Sequence, residues 1–302
     1  MQNIILNVNG ELKNPLDPVI PAFDRSFLYG DSLYEVARTY KGRFFALEDH
    51  LLRLAKSAEL CHMKLSQPLS LYKKECEQSL SAFYAIKANK NKDAYCRLIV
   101  SRGTGKIGFG TDNLLTDTQF FIIVQPLPAL TEADFEKGAH YKIVKRLRND
   151  KRALDPAMKS GNYLNSLLAF LEAKQPGSPH SSAEDALMLD SQGFMTEGTT
   201  FNIFYVNRGI VATSPLDIGI LDGITRRHTL RIAKKLGIET REVRYKPEYM
   251  LQADEVFMTS TTKEIFPVTK IDNKKIANGK PGKITRLLAQ HLHQDIMRRL
   301  SL

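Results

Sequence analysis

The sequence predicts an α+β protein in which helices and sheets are mixed. Segments with strand-like composition and segments with a helical spacing of apolar residues occur in both halves of the 302-residue chain. They do not alternate with the strict strand–helix period of a doubly wound fold. Because single hydrophobic cores usually stop growing near this chain length, we expect two packed domains, the N-terminal one being smaller.

The first part of the chain contains signals for both element types. A strand over 4–8 precedes a turn at Asn9-Gly10, and the proline-rich stretch that follows cannot be regular helix. Apolar residues recur at helical spacing from Leu47, and a second amphipathic helix is predicted over 68–86. Paired strands rich in β-branched and aromatic residues are predicted over 95–101 and 120–125.

The second half also combines strands and helices. The helix predicted over 224–236 ends at Gly237, which is typical of a helix C-terminus, and the helix over 281–299 begins with Pro281 in its first turn. A further helix is predicted over 163–173. The segments with strand signals are 141–147, 186–190, 201–206, 209–213, 255–259 and 264–271.

A change in composition marks the predicted domain boundary. Pro126 and Pro128 are followed by a polar and acidic stretch over 131–134. We therefore predict an α+β domain over 1–127, a linker over 128–137 and a larger α+β domain over 138–302.

Composition and charge exclude several classes of protein. With 43% hydrophobic residues the chain is neither disordered nor fibrous. The net charge of +10 would attract anions, but the basic residues are interleaved with acidic ones, which argues against nucleic acid as a partner. The three cysteines form no CxxC pair, which favours free thiols and no metal site. We see no signal peptide and no apolar run long enough to span a membrane, and expect a cytoplasmic protein.

Two glycine-containing motifs differ in what they predict. Residues 103–108 fit G-x-G-x-x-G, but the chain continues into another strand, so we predict a turn between antiparallel strands and not a dinucleotide site. Gly223 precedes a strongly predicted helix. The first N–H groups of this helix can bind an anion, or Gly223 can mark an ordinary helix start without a ligand. The hydroxyl groups of residues 260–262 can likewise bind an anion or cap the next element.

Seven segments of the chain carry a family resemblance, namely 23–42, 47–60, 95–108, 158–169, 186–204, 220–226 and 253–268. In their order and spacing they resemble the class IV, or fold-type IV, pyridoxal-phosphate aminotransferases. The family includes branched-chain amino-acid aminotransferases, D-amino-acid aminotransferases and aminodeoxychorismate lyase. The resemblance implies two α+β domains with pyridoxal 5′-phosphate in the cleft between them, the larger domain binding the cofactor, and a homodimer in which the partner's N-terminal loop closes the substrate pocket.

The resemblance assigns cofactor roles to individual residues. Lys159 is similar to the Schiff-base lysine, which also moves the proton during transamination. Glu197 is similar to the carboxylate that keeps the pyridine nitrogen protonated, Tyr163 to the partner of the phenolic oxygen, and Leu221 to the residue on the ring face. The residues that correspond to the phosphate site are Arg53, Ile224, Thr225 and Thr261.

The substrate class follows from a less uniform set of residues. The resemblance assigns substrate contacts to Tyr29, Tyr34, Arg38, Tyr95, Arg97 and Thr262. Tyr95-Cys96-Arg97 matches the Tyr-x-Arg pair of the branched-chain enzymes, and residues 107–109 lack the Arg-x-His of the D-specific ones. Against this, Val36 stands where the branched-chain motif has glycine, and Tyr34-Glu35-Val36 is more like the D-specific group.

The resemblance to the lyase is weaker. The lyase has Lys-x-x-Asn-Arg where this chain has Tyr163 after Asn162, although Ser101-Arg102-Gly103 is lyase-like. We therefore expect a transaminase that moves the amino group of a branched-chain L-amino acid to 2-oxoglutarate. A D-amino-acid transaminase is the second hypothesis and aminodeoxychorismate lyase the third.

Overall fold

The computed structural model describes residues 1–175 and 182–301. Both helices and sheets are present, and the predicted α+β class is confirmed. Within those ranges, none of the helices combines the length and the apolar character that crossing a bilayer would require. The chain divides into two compact units, the first comprising Met1–Ala129 and Met158–Asn162, the second Leu130–Ala157 and Tyr163–Ser301.

The first unit is built on an antiparallel sheet. Its strands are β1 (Ile5–Val8), β2 (Glu11–Lys13), β3 (Ser32–Tyr40), β4 (Arg43–Phe44), β5 (Ala94–Ser101) and β6 (Gln119–Pro126). They pair in the order β2-β1-β6-β5-β3-β4. Its α-helices are α1 (Arg25–Tyr29), α2 (Leu47–Leu60) and α3 (Leu69–Ala85). Short 3₁₀ turns cover Lys87–Asn89 and Thr111–Asn113.

One face of this sheet packs on the apolar sides of α2 and α3. Alternate residues of β5 point inward, because successive side chains of a strand face opposite ways. The core that results includes Leu54 of α2 and Phe83 of α3, both fully buried, together with Ala94, Cys96, Leu98 and Val100. Residues 95, 97 and 99 therefore lie on the opposite face of the sheet.

The second unit contains a mixed sheet. Its strands are β7 (Ala139–Leu147), β8 (Asp185–Leu189), β9 (Met195–Gly198), β10 (Asn202–Asn207), β11 (Ile210–Thr213), β12 (Thr240–Glu242), β13 (Glu255–Ser260), β14 (Glu264–Ile271) and β15 (Lys274–Lys275). The main path is β12-β11-β10-β13-β14-β7-β8-β9, with β15 paired to β14. The helices are α4 (Glu132–Lys137), α5 (Leu164–Ala173), α6 (Ile224–Lys235), α7 (Pro247–Leu251) and α8 (Lys283–Arg299), with a 3₁₀ turn at Leu216–Ile218.

Most predicted elements are confirmed within one or two residues of their ends. The exception that matters for function is β3, which the sequence did not signal as a strand. Its burial does not alternate, since both faces are largely covered, and it carries a buried Glu35 and a half-buried Arg38. The glycine-rich segment after β5 is a turn between antiparallel strands, as predicted, and not the start of a long helix.

Two features differ from the predicted domain limits. The predicted linker 128–137 contains α4, because Thr131 and Asp134 form a reciprocal capping box that stabilises a helix start. The segment Met158–Asn162 groups with the first unit, although it was predicted within 138–302. That predicted range also includes 176–181 and 302, which lie outside the described residues.

Candidate active site

Lys159 lies on a short segment that runs beside β3 and forms backbone hydrogen bonds with it. The Tyr34 N–H donates to the Lys159 carbonyl at 3.0 Å, and the Gly161 N–H donates to the Ser32 carbonyl at 2.7 Å. A Cβ on Gly161 would lie only 2.2 Å from the Ser32 Oγ, so the two segments approach each other closely at this glycine. The Lys159 N–H also donates to Ser57 of α2 at 3.1 Å. The backbone of Lys159 is therefore fixed on two sides.

The side chain of Lys159 contacts Tyr34 of the predicted substrate set, and Tyr34 in turn contacts Arg97. Its Nζ donates to the Tyr34 hydroxyl at 2.8 Å and lies 4.2 Å from the centroid of the Tyr34 ring. The Arg97 guanidinium lies over the same ring, with Cζ 4.1 Å from the centroid. Tyr34 is only 4% exposed. Sequence reasoning named these three residues separately, and the structure brings them together.

Arg53, the predicted phosphate ligand, is held by a buried carboxylate. Its Nε and Nη2 each donate at 2.7 Å to a different oxygen of Glu35, which forms a bidentate pair. His50 Nδ1 lies 2.8 Å from Glu35 Oε2. Burial opposes ionisation of Glu35, but the charge and hydrogen bonds of Arg53 and the hydrogen bond to His50 outweigh it and lower the Glu35 pKa to about 2.

Glu35 and His50 were not among the predicted site residues. The available signal was the spacing of His50 and Arg53, three residues apart on α2, which places both on one side of the helix. Burial lowers the pKa of His50, and the hydrogen bond to Glu35 only partly offsets this effect. A neutral imidazole that donates from Nδ1 fits this environment. The group as a whole fixes the direction of the Arg53 guanidinium.

The remaining predicted substrate residues of this unit are more dispersed. The Tyr29 hydroxyl accepts from the Gly108 N–H at 3.0 Å and so anchors the glycine-rich turn. Tyr95 pairs opposite Arg38 in the β3–β5 ladder. Arg38 forms an ion pair with Asp93 at 3.0 Å, and it is four residues along β3 from Tyr34, or about 13 Å. Arg38 remains a predicted substrate contact.

In the second unit, Glu197 is buried on β9 and held by three donors. Arg148 Nε and Nη2 lie 3.0 Å and 2.9 Å from its Oε1. Its Oε2 accepts from Asn202 Nδ2 and from the Leu221 N–H, both at 3.1 Å. Arg148 in turn donates to Asn165 of α5 at 3.4 Å. Each of these groups donates to the carboxylate, and donated hydrogen bonds favour its ionised form.

Arg148 and Asn202 are further residues that sequence reasoning missed. Arg148 lies in a basic stretch, residues 145–152, whose composition is typical of a solvated surface. Asn202 bridges Glu197 and the Leu221 carbonyl, with its Nδ2 2.9 Å from the latter. A Cβ on Gly223 would lie 2.1 Å from the Asn202 Oδ1, which explains the glycine at the start of α6.

Tyr163 immediately precedes α5 and lies in the electrostatic field of Glu197. Burial first, and then the negative charge of Glu197, raise the pKa of the Tyr163 phenol well above its ordinary value. The phenol therefore stays protonated at neutral pH. It can donate a hydrogen bond to an anionic oxygen, which is the role that the resemblance assigns to it.

The predicted phosphate residues of the second unit gather at one end of β10. Asn202 opens β10 and contacts the loop that leads into α6, whose first residues are Ile224 and Thr225. Their N–H groups have no carbonyl partner within the helix, because the first turn lacks one. Asn202 also pairs with Thr259 of β13, shortly before the turn that holds Thr261 and Thr262. The arrangement provides backbone N–H groups and hydroxyls for an anion.

Each unit thus carries groups that fit pyridoxal phosphate. The first provides an amine on Lys159 and an oriented guanidinium on Arg53. The second provides an oriented carboxylate for a ring N–H, a protonated phenol and a helix N-terminus for a phosphate. Within the described ranges, no three His, Cys, Asp or Glu side chains are grouped in a way that could hold a metal ion.

Comparison with known proteins identifies relatives along nearly the whole chain. A putative branched-chain-amino-acid aminotransferase of Methanocaldococcus jannaschii is 37% identical over 94% of this chain and 93% of the relative. A D-alanine aminotransferase of Bacillus licheniformis is 30% identical over 96% of both chains. The branched-chain-amino-acid aminotransferase of Escherichia coli K12 is 30% identical over 93% of this chain and 89% of that protein.

The fold is similar to that of solved enzymes. A branched-chain amino acid aminotransferase of T.th., in a crystal structure with pyridoxamine 5′-phosphate, superposes with a TM-score of 0.84 at 28% identity, covering 98% of this chain and 94% of that chain. The family profile described as amino-transferase class IV matches residues 32–271. The chain therefore belongs to the class IV aminotransferases, the pyridoxal-phosphate-dependent family that its motifs resemble.

Proposed function

We propose that this aminotransferase moves the amino group of a branched-chain L-amino acid to 2-oxoglutarate and that Lys159 is its Schiff-base lysine. The observation that carries the proposal is the contact between Lys159 Nζ and the Tyr34 hydroxyl at 2.8 Å, beside Arg97. An amine, a hydroxyl and a guanidinium side by side suit a substrate that carries both an amino group and a carboxylate. The names of several relatives support the branched-chain assignment.

The roles proposed for the chain follow from the chemistry of each group. When bound, pyridoxal phosphate supplies the electron sink for the negative charge that forms at the substrate Cα. Lys159 Nζ would take up the proton from that carbon and hold it for its return. Glu197 would accept a hydrogen bond from the ring N–H, and Tyr163 would donate one to the phenolic oxygen. Arg53, Thr261 and the N-terminus of α6 would bind the phosphate.

The substrate side chain is proposed to lie on the face of the β3–β5 ladder that is opposite the helices. Val36 is paired opposite Arg97 on this face, and Tyr34 is two residues away along the strand. This surface therefore places an apolar side chain next to a cation. The apolar part suits the aliphatic side chain of the substrate, and the cation suits its carboxylate. Tyr29, Tyr95 and Thr262 remain predicted substrate contacts.

A D-amino-acid transaminase is the second candidate. The D-alanine aminotransferase of Bacillus licheniformis is as similar in identity as the Escherichia coli enzyme. Tyr34 and Val36 also stand where the branched-chain motif has phenylalanine and glycine. The two candidates share the same cofactor chemistry and differ in which side of the site binds the substrate carboxylate and which binds its side chain, while the single Cα hydrogen faces Lys159.

We also propose a homodimer that works in a reducing compartment, the cytoplasm. Exposed leucines recur along α5 at positions i, i+3, i+4 and i+7, which is a pattern suited to a covered surface. The cysteines are free thiols, as expected in a reducing environment; they are Cys61, Cys76 and Cys96. The exposed leucines are Leu164, Leu167, Leu168 and Leu171.

The experiment that tests the function is a pair of half-reactions followed by absorbance. L-Leucine or D-alanine is added to the purified holoprotein, and loss of the visible cofactor band is recorded. A response to L-leucine alone, reversed by 2-oxoglutarate, supports the branched-chain proposal. A response to D-alanine alone supports the second candidate, and no response to either contradicts both.

A further inference from the structure

We infer that Tyr34 is a positioning residue for Lys159, and that its hydroxyl is a hydrogen-bond partner of the Lys159 amine in both of its protonation states. This inference rests on the proposed function, because it takes Lys159 to be the group that carries the proton. It goes beyond the substrate contact that the resemblance assigns to Tyr34.

The geometry joins the two residues at two points. The Lys159 Nζ donates to the Tyr34 Oη at 2.8 Å, and the Tyr34 N–H donates to the Lys159 carbonyl at 3.0 Å. Residues that are 125 positions apart in the chain are thus connected through side chain and backbone. The Tyr34 ring is buried and is covered by the Arg97 guanidinium. The phenol is therefore held in place and does not need a substrate to order it.

A hydroxyl is suited to a proton-carrying lysine because it can donate and accept. When Nζ is an ammonium, one of its N–H groups donates to the Tyr34 oxygen. When Nζ has given its proton to carbon, the Tyr34 O–H rotates and donates to the nitrogen lone pair. Each state keeps one hydrogen bond, and Tyr34 itself neither gains nor loses a proton. The position of the amine is consequently the same before and after the transfer.

The charged groups around this pair set the direction of the expected effects. Arg97 lies over the Tyr34 ring, and Lys159 acts electrostatically on His50, which is paired with Glu35 beside Arg53. The hydrogen bond that an ammonium at Lys159 donates to the Tyr34 oxygen is charge-assisted, so it is stronger than the one that the neutral amine accepts from the Tyr34 hydroxyl. Removing that oxygen should therefore favour the neutral amine.

Tyr34→Phe is the decisive variant, because it retains the ring beneath Arg97 and deletes only the hydroxyl. The matched control is Tyr84→Phe, which deletes a hydroxyl of the same unit that bonds to Thr39 at 3.1 Å and to the Lys92 carbonyl at 3.1 Å. Two measurements are made on both variants and on the wild-type chain. The first measurement follows the proton transfer in the holoenzyme. The second follows how the reactivity of the Lys159 amine depends on pH in the cofactor-free full chain.

In the holoenzyme, Tyr34→Phe should lower kcat by about 10- to 100-fold, within the range of lost acid–base assistance, with KM changed less than about threefold. The kinetic isotope effect of an α-deuterated substrate should increase, because proton transfer becomes slower relative to other steps. Tyr84→Phe should leave all three quantities unchanged. A rise in KM at constant kcat would overturn the inference and leave Tyr34 as a substrate contact only.

In the cofactor-free full chain, acylation of Lys159 by acetic anhydride is followed against pH by mass spectrometry. The pH at which acylation of Lys159 reaches half its maximal rate should be about one unit lower in Tyr34→Phe than in wild type. In Tyr84→Phe it should equal the wild-type value. An unmoved midpoint would also overturn the inference, even if kcat falls. Failure of the function itself has a different signature, since a Lys159→Ala protein would then keep its visible band and its activity.

Discussion

Lys159 in the first unit and Glu197 in the second are surrounded by partners of different chemistry. The amine contacts a hydroxyl, which can donate or accept, whereas the carboxylate is contacted by a guanidinium, an amide NH₂ and a backbone N–H, which only donate. Partners that only donate hydrogen bonds favour the ionised form of the Glu197 carboxylate. A hydroxyl can form a hydrogen bond with both the ammonium and the neutral amine of Lys159. The difference matches the proposed chemistry, in which Lys159 changes its charge and Glu197 does not.

Glu35 gives a second example of a carboxylate held by donors. Like Glu197, it is buried and accepts from an arginine, here through both of its oxygens. Neither carboxylate is proposed to transfer a proton, and each keeps a neighbouring group oriented. Buried charges with this type of shell are costly to disrupt, because removal of one partner leaves the other unpaired.

The most severe test of the comparison is to remove the group that changes charge. Lys159→Ala should abolish the visible band of the bound cofactor and lower transamination by at least about 10⁴-fold, because the covalent link and the proton carrier are lost together. Absorbance spectra and steady-state rates measure both effects. Lys151→Ala is the control, since Lys151 is exposed and lies in the preceding loop. A retained visible band in Lys159→Ala would contradict the assignment.

Neutralising the group that keeps its charge should have a smaller effect. Glu197→Gln preserves the shape of the side chain but not its negative charge, so kcat should fall by about 10²-fold, as for other losses of electrostatic stabilisation. Arg148→Met, which leaves Glu197 in place but removes its strongest donor, should cost about tenfold. Arg152→Met is the control, because Arg152 is exposed. Rates within twofold of wild type for Glu197→Gln would refute the role.

The sequence predicted the elements of this site better than its contacts. Helices α2 and α6 follow directly from their apolar spacing and from Gly223, and the motif residues Lys159, Glu197 and Arg53 were named from the resemblance. The Tyr34–Lys159 contact depends on a strand-edge pairing between distant segments, which no local pattern encodes. Arg148 was missed because an arginine in a basic stretch is usually exposed to solvent. Here the buried carboxylate of Glu197, which is distant in the sequence, binds Arg148 and fixes its position.

The donor shell of Glu35 predicts how stability depends on pH. Because the Glu35 pKa of about 2 lies below the ordinary value of 4.5, the ionised carboxylate stabilises the fold above pH 4.5. That contribution is lost as the pH falls from 4.5 to 2, and it amounts to roughly 3 kcal/mol. Urea denaturation at pH 6, 4 and 3 measures it.

Variants separate Glu35 from the other acidic residues in this experiment. Glu35→Gln should be less stable than wild type at pH 6, since Arg53 loses the negative charge that it faces, and should show a shallower decline below pH 4.5. Glu59→Gln changes an exposed carboxylate and should decline in parallel with wild type. Parallel curves for Glu35→Gln and wild type would show that the shell around Glu35 does not stabilise its charge.

The smallest effect concerns how the backbone of Lys159 is held. In Gly161→Ala the new Cβ would overlap the Ser32 Oγ at 2.2 Å, and the strain should cost about 1–3 kcal/mol of stability. In a Ser32→Ala background the nearest remaining atom is the Gly30 carbonyl oxygen at 3.5 Å, an ordinary contact, so the same change should cost much less. Thermal unfolding of wild type, Gly161→Ala, Ser32→Ala and the double variant gives the coupling free energy between the two positions. Equal costs in both backgrounds would mean that the edge of β3 does not constrain this segment, and Lys159 would then owe its position to its side-chain contacts alone.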